Sequence, residues 1–227
     1  MLDLTRGKVV FDEASHTYRV EGREILGVTR TLALAGYVDT TWFTEWCSKR
    51  GTVVHKAVEL EAEGLYEPAS WRDDLEEAGL SENKIEGLLG HVEAWIRFRE
   101  ETGFQFLTDE AGIPYSEIRL LSESRGFAGT ADGVGTFRGS DALVLADWKS
   151  GPPGPSTGPQ TAAYAGAFHE LTGRRIARRL GVQLRPDGRY RHCYFDDPND
   201  FHDFEAALRV ARWRLRHISK HALQEAA

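Results

Sequence analysis

Two neighbouring apolar segments constrain the fold of this chain more than any other feature. GFAGTADGVGTF (residues 126–137) and DALVLADWKS (residues 141–150) meet at the tight turn RGSD, a pattern that predicts a β-hairpin. The first segment nevertheless carries Asp132, and the second ends with Asp147 and Lys149. Strand ends often place charges in solvent, so the hairpin alone fits either a solvated strand end or a site for a metal ion.

The other segments place this hairpin in a mixed α/β chain. KVVFDEASHTYRVEGREILGV predicts an amino-terminal hairpin, and helical patterns fill most of residues 40–103. After the central strands come a helix that ends at Gly173, a hairpin around RPDG and a long amphipathic helix that starts at Pro198 and Asn199. This order predicts a single α/β (mixed α+β) domain.

One helical segment, TTWFTEWCSKRGTVVHKAVELEAEGL, contains a glycine at an unusual place. Thr40 or Thr41 is the expected N-cap, and Val54, Val58 and Leu60 form the expected buried stripe. Gly51 falls inside the pattern, where glycine costs about 1 kcal/mol relative to alanine. We therefore expect Gly51 to permit a close approach or to mark the helix start.

Composition limits the possible partners and compartment. The net charge is −7, but residues 171–227 carry a net +5 and the remainder −12, so a polyanion remains a possible partner. The two isolated cysteines, Cys47 and Cys193, exclude a four-cysteine zinc or iron–sulfur site built from this chain alone and are expected to be reduced thiols. No apolar run reaches the roughly 18 to 20 residues of a membrane span, and MLDLTRGKVV lacks a secretory signal, so we expect a cytoplasmic protein.

The charged residues of the hairpin favour a cation. Asp147 and Lys149 share one face of their strand while Trp148 points to the other, and Asp132 stands among small residues that leave space. Carboxylates that converge are unfavourable unless a positive ion neutralises them. Oxygen ligands suit magnesium or manganese.

Further motifs give this pattern a family resemblance. His55 lies on an upstream helix, Asp132 stands in GTAD, Asp147 and Lys149 stand in DWK, and Gln160 and Tyr164 follow at helical spacing in QTAAYAG. In this order the motifs resemble the PD-(D/E)XK nuclease superfamily, in its RecB-like and phage (lambda-type) exonuclease branch. The resemblance implies a restriction-endonuclease-like core with a central mixed β-sheet flanked by helices. Residues 1–110 would form an amino-terminal hairpin and helical part, and residues 111–227 the catalytic core.

The resemblance also assigns roles to residues of this chain. Asp132, Asp147, Lys149 and Glu117 would be catalytic, Glu117 because such enzymes often carry an acid on the preceding strand. The ion, Mg²⁺ or Mn²⁺, would be held by His55, Asp132, Asp147 and the backbone carbonyl of Trp148. The expected substrate-binding residues are Gln160, Tyr164, Arg50 and Arg125. An imidazole ligand favours manganese over magnesium, and no iron–sulfur cluster is expected.

The resulting hypothesis is a metal-dependent deoxyribonuclease. The favoured activity is that of an exonuclease that acts at DNA ends in recombination, repair or phage DNA processing. Its expected partner is DNA, with a homo-oligomeric ring or a separate recombination or helicase chain as further possibilities. An endonuclease of the same fold, a non-catalytic DNA-binding or protein-docking module, and a hydrolytic metal site on His55 and Glu59 are the alternatives. Polarity of digestion, strand preference and pathway are left open by the sequence.

Overall fold

The computed structural model describes residues 2–13, 15–38 and 44–224, and the side chains of the last helix as far as residue 217. Within those residues the chain forms ten strands and six helices. The strands are β1 (Leu2–Asp3), β2 (Val9–Asp12), β3 (Thr17–Val20), β4 (Arg23–Gly27), β5 (Gln105–Phe106), β6 (Ser116–Ser122), β7 (Phe127–Thr136), β8 (Val144–Lys149), β9 (Arg178–Leu184) and β10 (Tyr190–Tyr194). The helices are α1 (Val28–Ala35), α2 (Glu45–Ala62), α3 (Pro68–Glu77), α4 (Glu82–Thr102), α5 (Thr157–Thr172) and α6 (Asp200–Gln224).

Strand β7 is the centre of a mixed sheet. Strands β6 and β8 pair with β7 in antiparallel fashion, whereas β4 pairs with it in parallel. Beyond β8 the sheet continues with β9, which is parallel to β8, and with the antiparallel edge strand β10. The amino-terminal hairpin β2–β3 joins the sheet through β4, and β1 pairs with β6. All three predicted hairpins are confirmed: β2–β3 near the amino terminus, β7–β8 at the RGSD turn and β9–β10 around RPDG.

Helices cover both faces of this sheet. On one face, Leu32 of α1, Phe168 of α5 and Phe204 of α6 share a buried core with residues of β6, β7 and β8. On the other face, Val58 of α2 and Trp95 of α4 pack in a second core that includes Trp148 of β8. The predicted α/β architecture with a central mixed sheet flanked by helices is confirmed. The division at residue 110 stays a prediction, although strand β4 of the first part pairs with β7 of the second.

Strand β7 has different partners along one of its edges. Phe127 and Ala128 pair with β4, whereas residues 133–135 pair with β8. Between these two points, the described pairing of residues 129–131 is with β6 alone. Strands β4 and β8 therefore diverge from β7, and the sheet forks beside Asp132.

Helix α2 differs from the sequence-based expectation at its start. It begins at Glu45, with the Thr44 side chain accepting a hydrogen bond from the backbone N–H of Cys47. The expected caps, Thr40 and Thr41, lie outside the described residues. Gly51 is the seventh residue of the helix, so it does not mark the start. Outside its chain neighbours and the surrounding turns of its own helix, a Cβ atom added there would meet no described atom within 4 Å. The expectation that Gly51 marks the helix start is therefore wrong, and the described residues show no close approach of the chain at this position.

Two further expectations concern bilayers and disulfides. None of the described helices has the length and apolar composition needed to span a bilayer. Cys47 and Cys193 are both free thiols, as expected.

Candidate metal centre

Three side chains from separate elements meet beside the fork in the sheet. His55 comes from α2, Glu117 from β6 and Asp132 from β7, and their donor atoms all lie within 4.8 Å of one another. The Nδ1 atom of His55 is 3.0 Å from a Glu117 carboxylate oxygen and 3.7 Å from Oδ1 of Asp132. The side chains of His55 and Glu117 keep 27% and 16% of their surface exposed, so solvent reaches the group from one side.

The histidine ring faces hydrogen-bond acceptors at both nitrogens. Its Nδ1 atom faces Glu117, and its Nε2 atom is 3.0 Å from the carbonyl oxygen of Trp148. A neutral imidazole has a single N–H, so both contacts are hydrogen bonds only when the ring carries two protons. Burial opposes that charge, but Asp132 and Glu117 outweigh it and raise the pKa of His55 to about 9. At neutral pH we therefore expect an imidazolium that supplies positive charge to the two carboxylates.

Asp132 occupies the position that the fork creates. Its Oδ2 atom accepts a hydrogen bond of 2.8 Å from the backbone N–H of Trp148, a group on the part of β8 that has left the β7 ladder. Burial raises the pKa of Asp132, and the neighbouring Glu117 carboxylate adds to this rise while His55 opposes it. The carboxylate is thus fixed in place by backbone but lacks full electrostatic compensation.

Glu117 has an unusual backbone conformation. Its φ angle is +47°, in the left-handed region that non-glycine residues rarely adopt. Residues held there store strain on the order of 1–3 kcal/mol and are often found at functional sites. This conformation accompanies the contact of the carboxylate with His55.

A second group of charges lies next to the first. Asp147 has no exposed side-chain surface, and its carboxylate is 2.8 Å from Nζ of Lys149. Lys149 also donates to the amide oxygen of Gln160 at 3.3 Å, and Gln160 in turn lies 3.5 Å from the hydroxyl of Tyr164. The structure therefore joins the expected residues of β8 and α5 in one chain of polar contacts, while the three mutually close ligand groups are those of His55, Glu117 and Asp132.

Electrostatics distinguish the two members of the ion pair. Burial and the nearby Asp132 carboxylate raise the pKa of Asp147 to about 6, against the opposing effect of Lys149. Burial disfavours the charge on Lys149, but the carboxylates of Asp147 and Asp132 outweigh it and raise the pKa of this lysine. The Oδ2 atom of Asp147 is also buried without a hydrogen bond of good geometry among the described residues. Lys149 is therefore a cation at neutral pH, and the Oδ2 atom of Asp147 can accept a further hydrogen bond.

The two arginines expected to bind substrate lie in different places. Arg50, on α2, donates from Nε to the Ser150 hydroxyl directly after β8, at 3.1 Å. Arg125 lies in the β6–β7 turn, at the end of these strands away from Glu117 and Asp132, and bonds to Glu205. It lines a separate open groove of about 930 Å³ on the outer side of α5. The structure thus brings Arg50 to the edge of the site but not Arg125.

The donor set fits a divalent cation. An ion with ligands at about 2.1 Å in octahedral geometry separates adjacent ligand atoms by about 3 Å and opposite ones by about 4.2 Å. The contacts of His55 with Glu117 and Asp132 fall within this range. Two carboxylates and one imidazole are ligands typical of magnesium and especially manganese sites. Buried acids with raised pKa values also favour added positive charge.

Sequence reasoning missed one buried neighbour of this site. The hydroxyl of Tyr18, on β3, lies 3.0 Å from the hydroxyl of Thr130, two residues before Asp132. Tyr18 is buried, and burial raises its pKa. The alternation of the amino-terminal hairpin places Tyr18 on an inward face, but only the pairing of β4 with β7 brings that face to the site.

Comparisons with known proteins give no information on the chemistry of this site. No protein-family model and no curated protein matches the chain. Among solved structures, 18 chains match. One is a Eubacterium rectale protein described provisionally as an exonuclease, with 14% identity, a TM-score of 0.48, and coverage of 83% of this chain and 81% of that one. Another is LHK-Exo in complex with dAMP, with 14% identity, a TM-score of 0.38, and coverage of 88% and 94%. Likeness at this level carries no information on mechanism, which has to be argued from the side chains themselves.

Proposed function

We propose that this chain is a metal-dependent nuclease that hydrolyses phosphodiester bonds of DNA and acts at DNA ends. The observation that carries the proposal is the convergence of His55, Glu117 and Asp132 next to the buried Asp147–Lys149 pair. Mixed imidazole and carboxylate ligands beside a fixed ammonium group are what phosphodiester hydrolysis requires, since negative charge grows on the phosphate as the bond breaks.

His55 through Nδ1, Glu117 and Asp132 would hold the cation, with Asp147 at its edge as a further oxygen ligand. The Trp148 carbonyl, which lies 3.0 Å from the other ring nitrogen, would orient the imidazole rather than bind the same ion. When bound, Mg²⁺ or Mn²⁺ polarises the phosphoryl oxygen and lowers the pKa of water, so that a nucleophile forms at neutral pH. To serve as a ligand, Nδ1 of His55 would have to give up its proton to solvent. The imidazole ligand favours manganese, so we expect higher activity with Mn²⁺ than with Mg²⁺.

Lys149 would act through its charge. Its raised pKa keeps the ammonium group protonated at neutral pH, which suits stabilisation of a phosphate and orientation of water better than removal of a proton. Asp147 and Gln160 hold this ammonium from two sides. Gln160 and Tyr164 would then contact the substrate backbone through their remaining polar groups.

DNA is the proposed substrate because of the charge distribution. The chain has a net charge of −7, yet residues 171–227 carry a net +5, which a polyanion can contact. Arg50 adds a guanidinium group at the edge of the site. A role in recombination, repair or phage DNA processing, and a ring or a helicase partner, remain predictions from the sequence.

The test uses end-labelled linear duplex DNA and covalently closed circles, each with Mn²⁺, with Mg²⁺ and with chelator. Degradation of linear DNA alone supports an exonuclease, nicked or linearised circles support the endonuclease, and binding without cutting supports a non-catalytic module. Asp132→Asn is the inactivating variant, since its amide oxygen still accepts the Trp148 N–H. Asp141→Asn, an exposed acid of the same hairpin, is the matched control and should cut at the wild-type rate. Equal activity of the two variants would contradict the proposed site.

A further inference from the structure

Five glycines lie inside described helices, and four of them have neighbours that an added Cβ would meet. Gly87 has one ordinary contact, 3.7 Å from Pro186. At the other three, a Cβ would come too close to another atom: Gly90 at 2.0 Å from the Pro186 carbonyl oxygen, Gly158 at 2.5 Å from Asp200, and Gly166 at 2.7 Å from the Phe201 ring. Gly51 is different, since no described atom outside its chain neighbours and the surrounding turns of its own helix lies within 4 Å of such a Cβ.

Local structure does not account for Gly51. Its φ angle is not in the left-handed region, and it lies well inside α2 rather than at a helix end. Glycine in such a position destabilises a helix relative to alanine, because the unfolded chain loses more freedom. Among the residues that the structure describes, packing and backbone geometry therefore give no reason for the absence of a side chain.

The position of Gly51 relative to the site supplies a reason. Gly51 precedes His55 by four residues, so the two lie on the same face of α2, about 6 Å apart along its axis. Its neighbour Arg50 bonds to Ser150, just after Lys149 on the chain. The open space at Gly51 therefore lies beside the candidate metal centre, where α2 approaches the end of β8.

We infer that Gly51 is a specificity-determining residue that keeps this space open for the sugar–phosphate backbone of a DNA strand. This inference rests on the proposed nuclease function. One helical turn is comparable to the spacing of one to two nucleotides along a strand, 3.4 Å each. A nucleotide next to the scissile bond then passes over Gly51, with the guanidinium group of Arg50 beside its phosphate. A small phosphodiester, with no neighbouring nucleotide, does not need this space.

The experiment compares two substrates and three variants. Gly51→Leu and Gly51→Ala fill the space to different extents, and Gly87→Ala is the matched control at a helical glycine with room for a methyl group. Initial rates are measured with Mn²⁺ on a labelled 20-base-pair duplex and on bis(p-nitrophenyl) phosphate. We expect Gly51→Leu to raise KM for the duplex at least tenfold and to leave kcat/KM for the small diester within twofold. Gly51→Ala should raise KM for the duplex two- to threefold, and Gly87→Ala should not change it.

Two results would overturn the inference. One is an unchanged KM for the duplex in both Gly51 variants. The other is an equal loss on the two substrates, which would mean that Gly51 supports the geometry of the metal centre rather than access to it. Thermal unfolding provides an independent readout, since Gly51→Ala and Gly87→Ala should both raise the melting temperature, each by about 2–4 °C.

Failure of the proposed function is distinguishable from failure of this inference. If the wild-type protein cuts neither substrate, the nuclease proposal is wrong. Fluorescence anisotropy of labelled duplex in chelator then measures DNA binding without cleavage, and so tests the access role of Gly51 independently of activity. A tenfold weaker Kd in Gly51→Leu, with a wild-type Kd in Gly87→Ala, supports the access role, and equal Kd values refute it.

Discussion

The protonated His55 predicts how the stability of the metal-free protein depends on pH. Asp132 and Glu117 outweigh burial and raise the pKa of His55 to about 9, whereas an unfolded histidine has a pKa of about 6.5. A raised pKa stabilises the fold fully below pH 6.5, and this stabilisation is lost as the pH rises through 9. The shift corresponds to about 3 kcal/mol at most, and because a quarter of the side chain is exposed we expect about 2 kcal/mol.

Urea unfolding in chelator at several pH values between 6 and 9.5 measures this effect. The wild-type free energy of unfolding should fall by about 2 kcal/mol over that range, whereas His55→Gln should show a nearly flat profile. Asp147, with its pKa raised to about 6, stabilises the fold when protonated and loses this contribution as the pH rises from about 4 through 6. Only a small part of its effect therefore falls within the measured range, and His55→Gln shares that part. His202→Gln, at a side chain 77% exposed, should keep the wild-type slope. Identical slopes in His55→Gln and the wild type would refute the assignment of the imidazolium.

Three other substitutions test the remaining parts of the site. Lys149→Met leaves the buried Asp147 carboxylate unpaired and should lower the free energy of unfolding at pH 7.5 by about 2 kcal/mol. Adding Asp147→Asn should restore part of this free energy. An unchanged free energy of unfolding for Lys149→Met in urea titrations would argue against the ion pair. Glu117→Gly should be about 1 kcal/mol more stable than Glu117→Ala, because only glycine accepts a positive φ freely, and the reverse order would exclude the strained conformation. Arg125→Ala should leave the Kd for labelled duplex in chelator within twofold, whereas Arg50→Ala should weaken binding at least fivefold; equal losses would place Arg125 in the substrate path.

The part of the site on β8 and α5 follows from short-range sequence rules. Strand alternation puts Asp147 and Lys149 on one face with Trp148 opposite, and helical spacing puts Gln160 and Tyr164 on one side of the following helix. The structure has both arrangements, with Lys149 in contact with Asp147 and Gln160. These relations depend only on residues near one another in the chain.

The metal-ligand geometry depends on pairings that such rules do not provide. Glu117 meets His55 because β6 pairs with β7 in one particular register, and a shift of one residue would turn its side chain to the other face. The bond from Trp148 to Asp132 exists because β8 leaves the β7 ladder, which no periodicity indicates. Charge alone also does not reveal at which end of the β6–β7 hairpin Arg125 lies.

The pairing of β8 with β9 has a consequence for synthesis of the protein. The site draws His55, Glu117, Asp132 and Trp148 from segments far apart in the chain, and the strand that carries Trp148 is flanked on its outer side by residues 178–183. Such distant contacts form late, because the intervening chain has to be ordered first. We therefore expect a nascent polypeptide on the ribosome to have no fully assembled candidate metal centre until β9 has emerged.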